Sequence, residues 1–305
     1  MTAASTDLRQ AGVLRRAKPL LGTLVDIGIG ATDAEIALAA ADAAFAEIRD
    51  VHRLMSFHDA SSDLSRINRA APHQRVDIDP RTADVLRLAL EIGTVSAGAF
   101  DCTVAPVLVW HGLLPQVPDA RPRTFRDPPA ARTPAFVVED CAVIKQRDCL
   151  LDLGGIAKGY AVDRAVDAAL ALAGARGHRL DSVFVNAGGD LRFHGASTMT
   201  IRLRDFDDPA RLTGAVEIAA GALATSSTRG LDGPARRVSP LVDPHGATPL
   251  PMGAGVSVTA PTCAVADALT KVALVAGDRA HAVLARYGAS IVRVSAQRAP
   301  LAETP

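Results

Sequence analysis

The sequence predicts an α+β fold with mixed and antiparallel sheets. Three features point there: long stretches with apolar residues at helical spacing, many short strand-like runs among them, and no obvious internal repeat.

In chain order, residues 1–17 are expected to be a disordered N-terminus. The first strand candidate is "TLVDIGI" (23–29), ended by Gly30. From 33 to 54, "DAEIALAAADAAFAEIRDVHRL" repeats apolar residues at helical spacing, with Asp33 placed as N-cap. "SFHDASSDLSRIN" (56–68) is polar and turn-rich and reads as a connection. A second helix follows over 79–98, with Asp79 as cap, Pro80 at its first position and Gly98 as its stop. Six prolines in 112–134 argue for a surface loop. "AFVVEDCAVIKQRDCLLDL" (135–153) is hairpin-like, and a Gly-rich turn then leads into a helix over 161–174. Short strand candidates lie at 182–186, 199–203, 214–219, 221–225 and 255–260, followed by helices at 264–275 and 278–286 and a last strand at 289–294. No clean domain boundary breaks this order, so residues 1–305 read as one unit.

With 305 residues, 49% of them hydrophobic, and 33 basic against 33 acidic side chains, the chain can bury one large core or two smaller ones. The even balance and the lack of a Lys/Arg block exclude the electrostatic footprint of a nucleic-acid binder. No run approaches the roughly 20 apolar residues of a membrane span. Cys102, Cys141, Cys149 and Cys263 form neither a C-x-x-C pair nor a zinc-ligand spacing, which argues against a disulfide framework and fits a reducing compartment. No secretory h-region or lipoprotein cysteine stands near the start, so a cytoplasmic location is expected. The partner is then a small molecule or another protein.

Four clusters mix Gly, Asp and Asn: "SAGAFDCTVAPVLVWHG" (96–112), "LDLGGIAKGYAVDRAV" (151–166), "FVNAGGDLRFHG" (184–195) and "LATSSTRG" (223–230), the last followed by "SPLVDPHG" (239–246). One such cluster is most simply a tight turn. Several together ask for more. In the second, paired glycines precede a helix start, where freed amides and the helix dipole favour an anion such as phosphate. Gly154 and Gly155 stand too close to Lys158 for a nucleoside-triphosphate P-loop, and "GIGATD" lacks the third glycine of a dinucleotide fingerprint. Taken singly, Asp101 reads as a turn or cap residue, His58 as a solvated loop histidine, Trp110 as core, and the Asp267/Lys271 pair, four apart, as an exposed helical ion pair.

In order, "LLGT" (20–23), "MSFHDASSDLSRIN" (55–68), "GAFDCTVAPVLVWHG" (98–112), "LDLGGIAKGYAVD" (151–163), "VNAGGDLRFHG" (185–195), "ATSS" (224–227), "LVDPHG" (241–246) and "ADALTKVALVAG" (266–277) resemble the ApbE family, the FAD:protein FMN transferases. The resemblance covers about residues 18–295. It implies two α/β-type halves with FAD bound between them, and a Mg2+-dependent transfer of FMN from FAD to a Thr or Ser hydroxyl of an acceptor flavoprotein domain, releasing AMP. Carried over by position, it implies flavin contacts at Leu21, His58, Ala99, Phe100, Asp101, Gly154, Tyr160 and Leu241. It implies a metal held by the Ala157 carbonyl and the Asp267 carboxylate.

Besides Leu21, where the family usually has Met, and His58, where it usually has Tyr, two positions that bear on the chemistry depart from the family pattern. A Thr four residues after the Asp normally completes the metal site; here Thr270 precedes Lys271, and a lysine is no metal ligand. Thr270 taking over the metal, the Lys271 ammonium replacing a Mg2+ ion beside the phosphates, and a site that has lost its function are three open readings. The family also commonly has His where this chain has Pro240, which cannot move a proton; His245 lies five residues on. No catalytic residue is assigned from sequence. The alternative to a transferase is a relative that binds FAD, or slowly hydrolyses it to FMN and AMP, as a flavin carrier or regulatory protein.

Overall fold

A two-residue reversal at Leu21 and Gly22 opens the main sheet. Both have positive φ, 55° and 70°, as a hairpin loop matched to right-handed strand twist requires. The structure is a computed structural model and describes residues 4–6, 13–117, 134–206, 208, 210–229 and 238–292.

The elements run β1 (Ala4–Thr6), β2 (Val13–Leu20), β3 (Thr23–Gly30), α1 (Ala34–Met55), α2 (Asp63–Arg69), β4 (Arg75–Asp77), α3 (Pro80–Val95) and α4 (Ala105–Trp110). They continue as β5 (Phe136–Glu139), β6 (Ala142–Lys145), α5 (Ala157–Ala175), β7 (Ser182–Ala187), β8 (Asp190–Gly195), β9 (Met199–Arg204), β10 (Leu212–Ile218) and β11 (Gly221–Ser227). The chain closes through β12 (Val242–Asp243), β13 (Thr248–Pro249), β14 (Gly255–Ala260), α6 (Cys263–Ala276), a 3-10 turn (Gly277–Arg279), α7 (Ala280–Arg286) and β15 (Ser290–Ile291).

Among the described residues a seven-stranded sheet has the order β15-β14-β11-β8-β7-β3-β2, with every neighbouring pair antiparallel. Period-two alternation divides its side chains between two cores. On one face Val183, Val185, Ala187, Ala222 and Ala224 join the helices α1, α3, α5 and α6. On the other, Phe184, Leu191, Phe193 and Leu223 pack with Met199, Ile201, Leu203 and Ile218 of the small sheet β1-β9-β10. The α+β expectation with antiparallel sheets therefore holds.

The helices form for the reasons read from sequence. The Asp33 carboxylate accepts from the Glu35 amide at 2.8 Å and the Ile36 amide at 3.3 Å, and α1 buries Ala40, Ala44, Phe45, Ile48 and Val51 against α5. Asp79 caps α3, with Pro80 in its first turn. Helices α5 and α6 meet at Gly159, where a Cβ atom would stand 2.3 Å from the Cys263 carbonyl oxygen, so only glycine permits this approach. Just beyond, the Asp163 carboxylate accepts from the Cys263 and Ala264 amides, both at 2.8 Å, and caps α6 from outside its own chain segment.

Several expectations are corrected. Residues 4–6 and 13–17 are in strands, not a disordered terminus: β1 pairs with β9, and β2 is an edge strand whose Arg15 pairs with Asp26, Arg16 with Asp42 of α1, and Lys18 with the Phe45 ring at 4.5 Å. The stretch read as a connection contains α2, started by Ser62 accepting from the Ser65 amide. Trp110 is not core but 75% exposed, because α4 buries Ala105, Val107 and Leu108 on its other side. The proline-rich loop lies mostly outside the described residues, as do 293 and 294 of the last strand.

Candidate active site

Two glycine-bearing hairpin turns and one helix start converge at one end of the main sheet. Ala187 pairs with Asp190, so Gly188 and Gly189, with φ of 69° and 105°, form the β7–β8 turn; a Cβ on Gly188 would come 2.7 Å from Thr23 Oγ1, beside the Leu21 and Gly22 turn. The turn ends by presenting Asp190, 2% exposed.

Asp190 Oδ2 pairs with the Lys158 ammonium in the first turn of α5. Lys158 Nζ also stands 3.6 Å from Oδ2 of Asp267, a carboxylate with no exposure at all. That same oxygen accepts from the Gly159 amide at 3.2 Å. Asp267 Oδ1 is held by the Lys271 ammonium, which also donates to the Asp267 carbonyl at 3.0 Å. The two charges are thus a buried network and not the exposed helical pair expected from spacing. Gly155 lies over the Lys271 stem: a Cβ there would be 3.4 Å from Lys271 Cε and 3.5 Å from Phe100 Cε2.

Electrostatics follow from this packing. Burial and the neighbouring Asp267 push the Asp190 carboxyl up. Burial acts the same way on Asp267, but Lys158 and Lys271 outweigh it and hold that carboxyl below its usual range. Burial pulls Lys158 down, yet Asp190 and Asp267 more than offset it and keep the ammonium charged. Asp152, whose Oδ1 accepts from the Gly154 amide at 3.1 Å, is raised by burial against the opposing charges of Lys271, His58 and Lys158. Asp190 Oδ1 has no partner among the described residues.

The other sequence-derived positions divide. Ala99 and Phe100 are buried, and Asp101 is exposed with its carboxylate accepting from the Thr103 amide at 2.7 Å, as a turn aspartate does. The Cys102 carbonyl accepts from the Asp152 amide at 2.8 Å, tying this loop to the strand-like lead into α5. His245, in the turn between β12 and β13, brings Cε1 to 3.3 Å from where a Gly98 Cβ would be; Leu241, half-buried just before β12, accepts at its carbonyl from the Leu250 amide at 2.8 Å. His58 is exposed and lines a shallow cleft of about 340 Å³ with Arg49, His52, Arg53, Ser56 and Asp59. Tyr160 is not brought to the Lys158 cluster: two residues on from Lys158 it stands on another face of α5, toward Asp84, Arg164 and Glu47, and burial raises its hydroxyl to about 12.

Sequence reasoning assigned no role to Lys158, Asp190 or Asp152. The signal for Asp190 was a paired glycine directly before an acid, which a two-residue hairpin turns inward.

The metal position implied for Ala157, Asp267 and Thr270 does not fit a divalent cation in this arrangement. Both Asp267 oxygens are engaged by N–H groups. Thr270 Oγ1 is already committed, 2.6 Å from Ser226 Oγ and donating at 2.6 Å to the Asp267 carbonyl. Among the described residues no group of three or more His, Cys, Asp or Glu side chains is arranged to hold a metal.

Comparison with known proteins agrees with the fold. The ApbE family model matches residues 21–292. A protein of Klebsiella pneumoniae (strain 342) named FAD:protein FMN transferase is 28% identical over 224 residues, 70% of this chain and 67% of the relative. One of the same name from Haemophilus influenzae is 28% identical over 253 residues, 76% of this chain and 70% of that one. The crystal structure of the ApbE protein from Thermotoga maritima superposes with a TM-score of 0.75 at 25% identity, covering 93% of this chain and 97% of that one. The flavin transferase ApbE from Vibrio cholerae shares the fold at a TM-score of 0.72 and 24% identity, over 92% and 93%. Among the described residues no helix is long and apolar enough to cross a membrane.

Proposed function

Because the chain belongs to the ApbE family, we propose that it is an FAD:protein FMN transferase, with FAD as substrate and a Thr or Ser hydroxyl of a flavoprotein domain as acceptor. The observation that carries this reading is the meeting of Phe100, Gly155 and Lys271 at the opening turn of α5. An aromatic ring, a backbone bare of side chain and an ammonium side by side suit a ligand that joins an aromatic system to a pyrophosphate.

In the transfer, the acceptor hydroxyl oxygen attacks the flavin-side phosphorus. A P–O bond forms there as the bond to the bridging oxygen breaks; AMP leaves with that oxygen, and the hydroxyl proton passes to a base. Lys271 and the amides of the α5 turn offset charge on the phosphate oxygens. Pro240 cannot take the proton, and the exposed His245 imidazole against Gly98 supports a role as acceptor.

A second reading, a relative that binds FAD as a carrier or regulatory protein, or slowly hydrolyses it to FMN and AMP, is favoured by Pro240 and by the single positive charge of Lys271 at the metal position. Incubation with FAD and an acceptor-domain peptide separates the two. Covalent flavin on the peptide with one AMP per flavin supports the transferase; AMP with unlabelled peptide supports hydrolysis; intact FAD supports the carrier.

A further inference from the structure

Lys271 sits where a cation would use Asp267. Its ammonium takes the carboxylate Oδ1 and, at 3.0 Å, the carbonyl of the same residue, a side-chain and backbone oxygen pair that suits a bound ion. An ammonium has three donors, and these contacts use two. The third remains for a ligand oxygen. The lysine stem runs beside Gly155, which Phe100 also flanks, so the head group lies next to the glycine turn at the α5 start. Its side chain is 15% exposed, enough to meet a ligand and too little to swing freely.

A divalent ion has no such place. To reach Asp267 it must displace the Lys271 ammonium from Oδ1 and share one carboxylate with both that charge and Lys158, 3.6 Å from the other oxygen. Such like-charge crowding in a buried site is strongly unfavourable. Thr270 offers no compensation, because its hydroxyl is committed to Ser226 and to its own helix.

We propose that Lys271 is a built-in cation that replaces a divalent metal, so that this chain binds the pyrophosphate of FAD without a metal ion. This rests on the FAD reading above.

The test is a fluorescence titration of FAD with the full chain, in EDTA and in excess Mg2+, for the unmodified protein, Lys271→Met and Lys271→Thr. For the unmodified protein the expected Kd is the same in both buffers within about twofold, since no ion enters the site. Lys271→Met is expected to weaken binding by about tenfold or more in either buffer, the loss of one charge-assisted hydrogen bond. Lys271→Thr is expected to weaken it in EDTA and to recover with Mg2+.

Manganese EPR gives a readout independent of the variants' folding: the unmodified protein with FAD should leave Mn2+ free in solution. Mn2+ uptake by that complex, or FAD binding that needs Mg2+, overturns the inference and leaves the FAD reading standing. FAD failing to bind in either buffer overturns both.

Discussion

Lys271 reaches back four residues along its own helix to close on the carboxylate of Asp267, which has no exposed surface. The pair ties α6 to the start of α5, because the other Asp267 oxygen accepts from Gly159 and faces Lys158. One carboxylate therefore joins two helices and two ammonium groups.

Removing that carboxylate leaves the largely buried Lys271 ammonium with only a backbone carbonyl as partner. Asp267→Ala is expected to cost about 3–5 kcal/mol, read by urea denaturation at constant pH. The double variant Asp267→Leu, Lys271→Met should recover part of the loss, since a buried ion pair replaced by apolar groups is often tolerated.

The two glycines of the α5 start should respond differently to a methyl group. Gly159→Ala drives its Cβ to 2.3 Å from the Cys263 backbone, which must shift, and about 3 kcal/mol of stability is expected to go. Gly155→Ala meets only side-chain atoms, at 3.4 Å and beyond, so the thermal midpoint should move little while FAD binding weakens.

Asp163 supplies a pH dependence. Burial raises its carboxyl from 3.8 to about 6, although the Cys263 and Ala264 amides oppose the shift. A folded value above the unfolded one means that its favourable contribution is present below about pH 4 and is lost as the pH rises through 6. At roughly 1.4 kcal/mol per pH unit this amounts to up to about 3 kcal/mol. The stability of the unmodified protein relative to Asp163→Asn should therefore fall between pH 4 and pH 7 in denaturation curves, and a flat difference would contradict the assignment.

What the sequence made legible was local. Asp33 before an apolar 3.6-residue pattern, and Asp79 before Pro80, announce helix starts by groups only a few residues apart. Strand β2 was missed because Arg15, Arg16 and Lys18 give it the look of a polar terminus; only pairing with β3 and contact with α1 turn these charges into those of an edge strand. The site shows the same division. Phe100, Gly154 and Asp267 stand in recognisable motifs, whereas the link from Lys158 to Asp190 spans 32 residues and needs the β7–β8 hairpin. Tyr160 shared a motif with Lys158 and yet faces elsewhere, since residues two apart on a helix do not share a face.

His245 should matter more to the acceptor than to FAD. His245→Ala is expected to lower transfer to an acceptor peptide by about 10²-fold, the usual scale for a lost general base. FAD affinity should change less than the rate, because the ring lies against Gly98 and not beside Gly155, where Lys271 and Phe100 meet. An unchanged transfer rate in His245→Ala would remove His245 from the reaction.

The most direct measurement is a crystal structure of the full chain with FAD, grown in EDTA. Expected is a pyrophosphate oxygen about 2.8–3.2 Å from Lys271 Nζ, with the phosphates over the Gly154 and Gly155 turn and the flavin toward Phe100. A flavin nucleotide bound elsewhere, with Lys271 touching only Asp267, would contradict the site and the transfer function built on it.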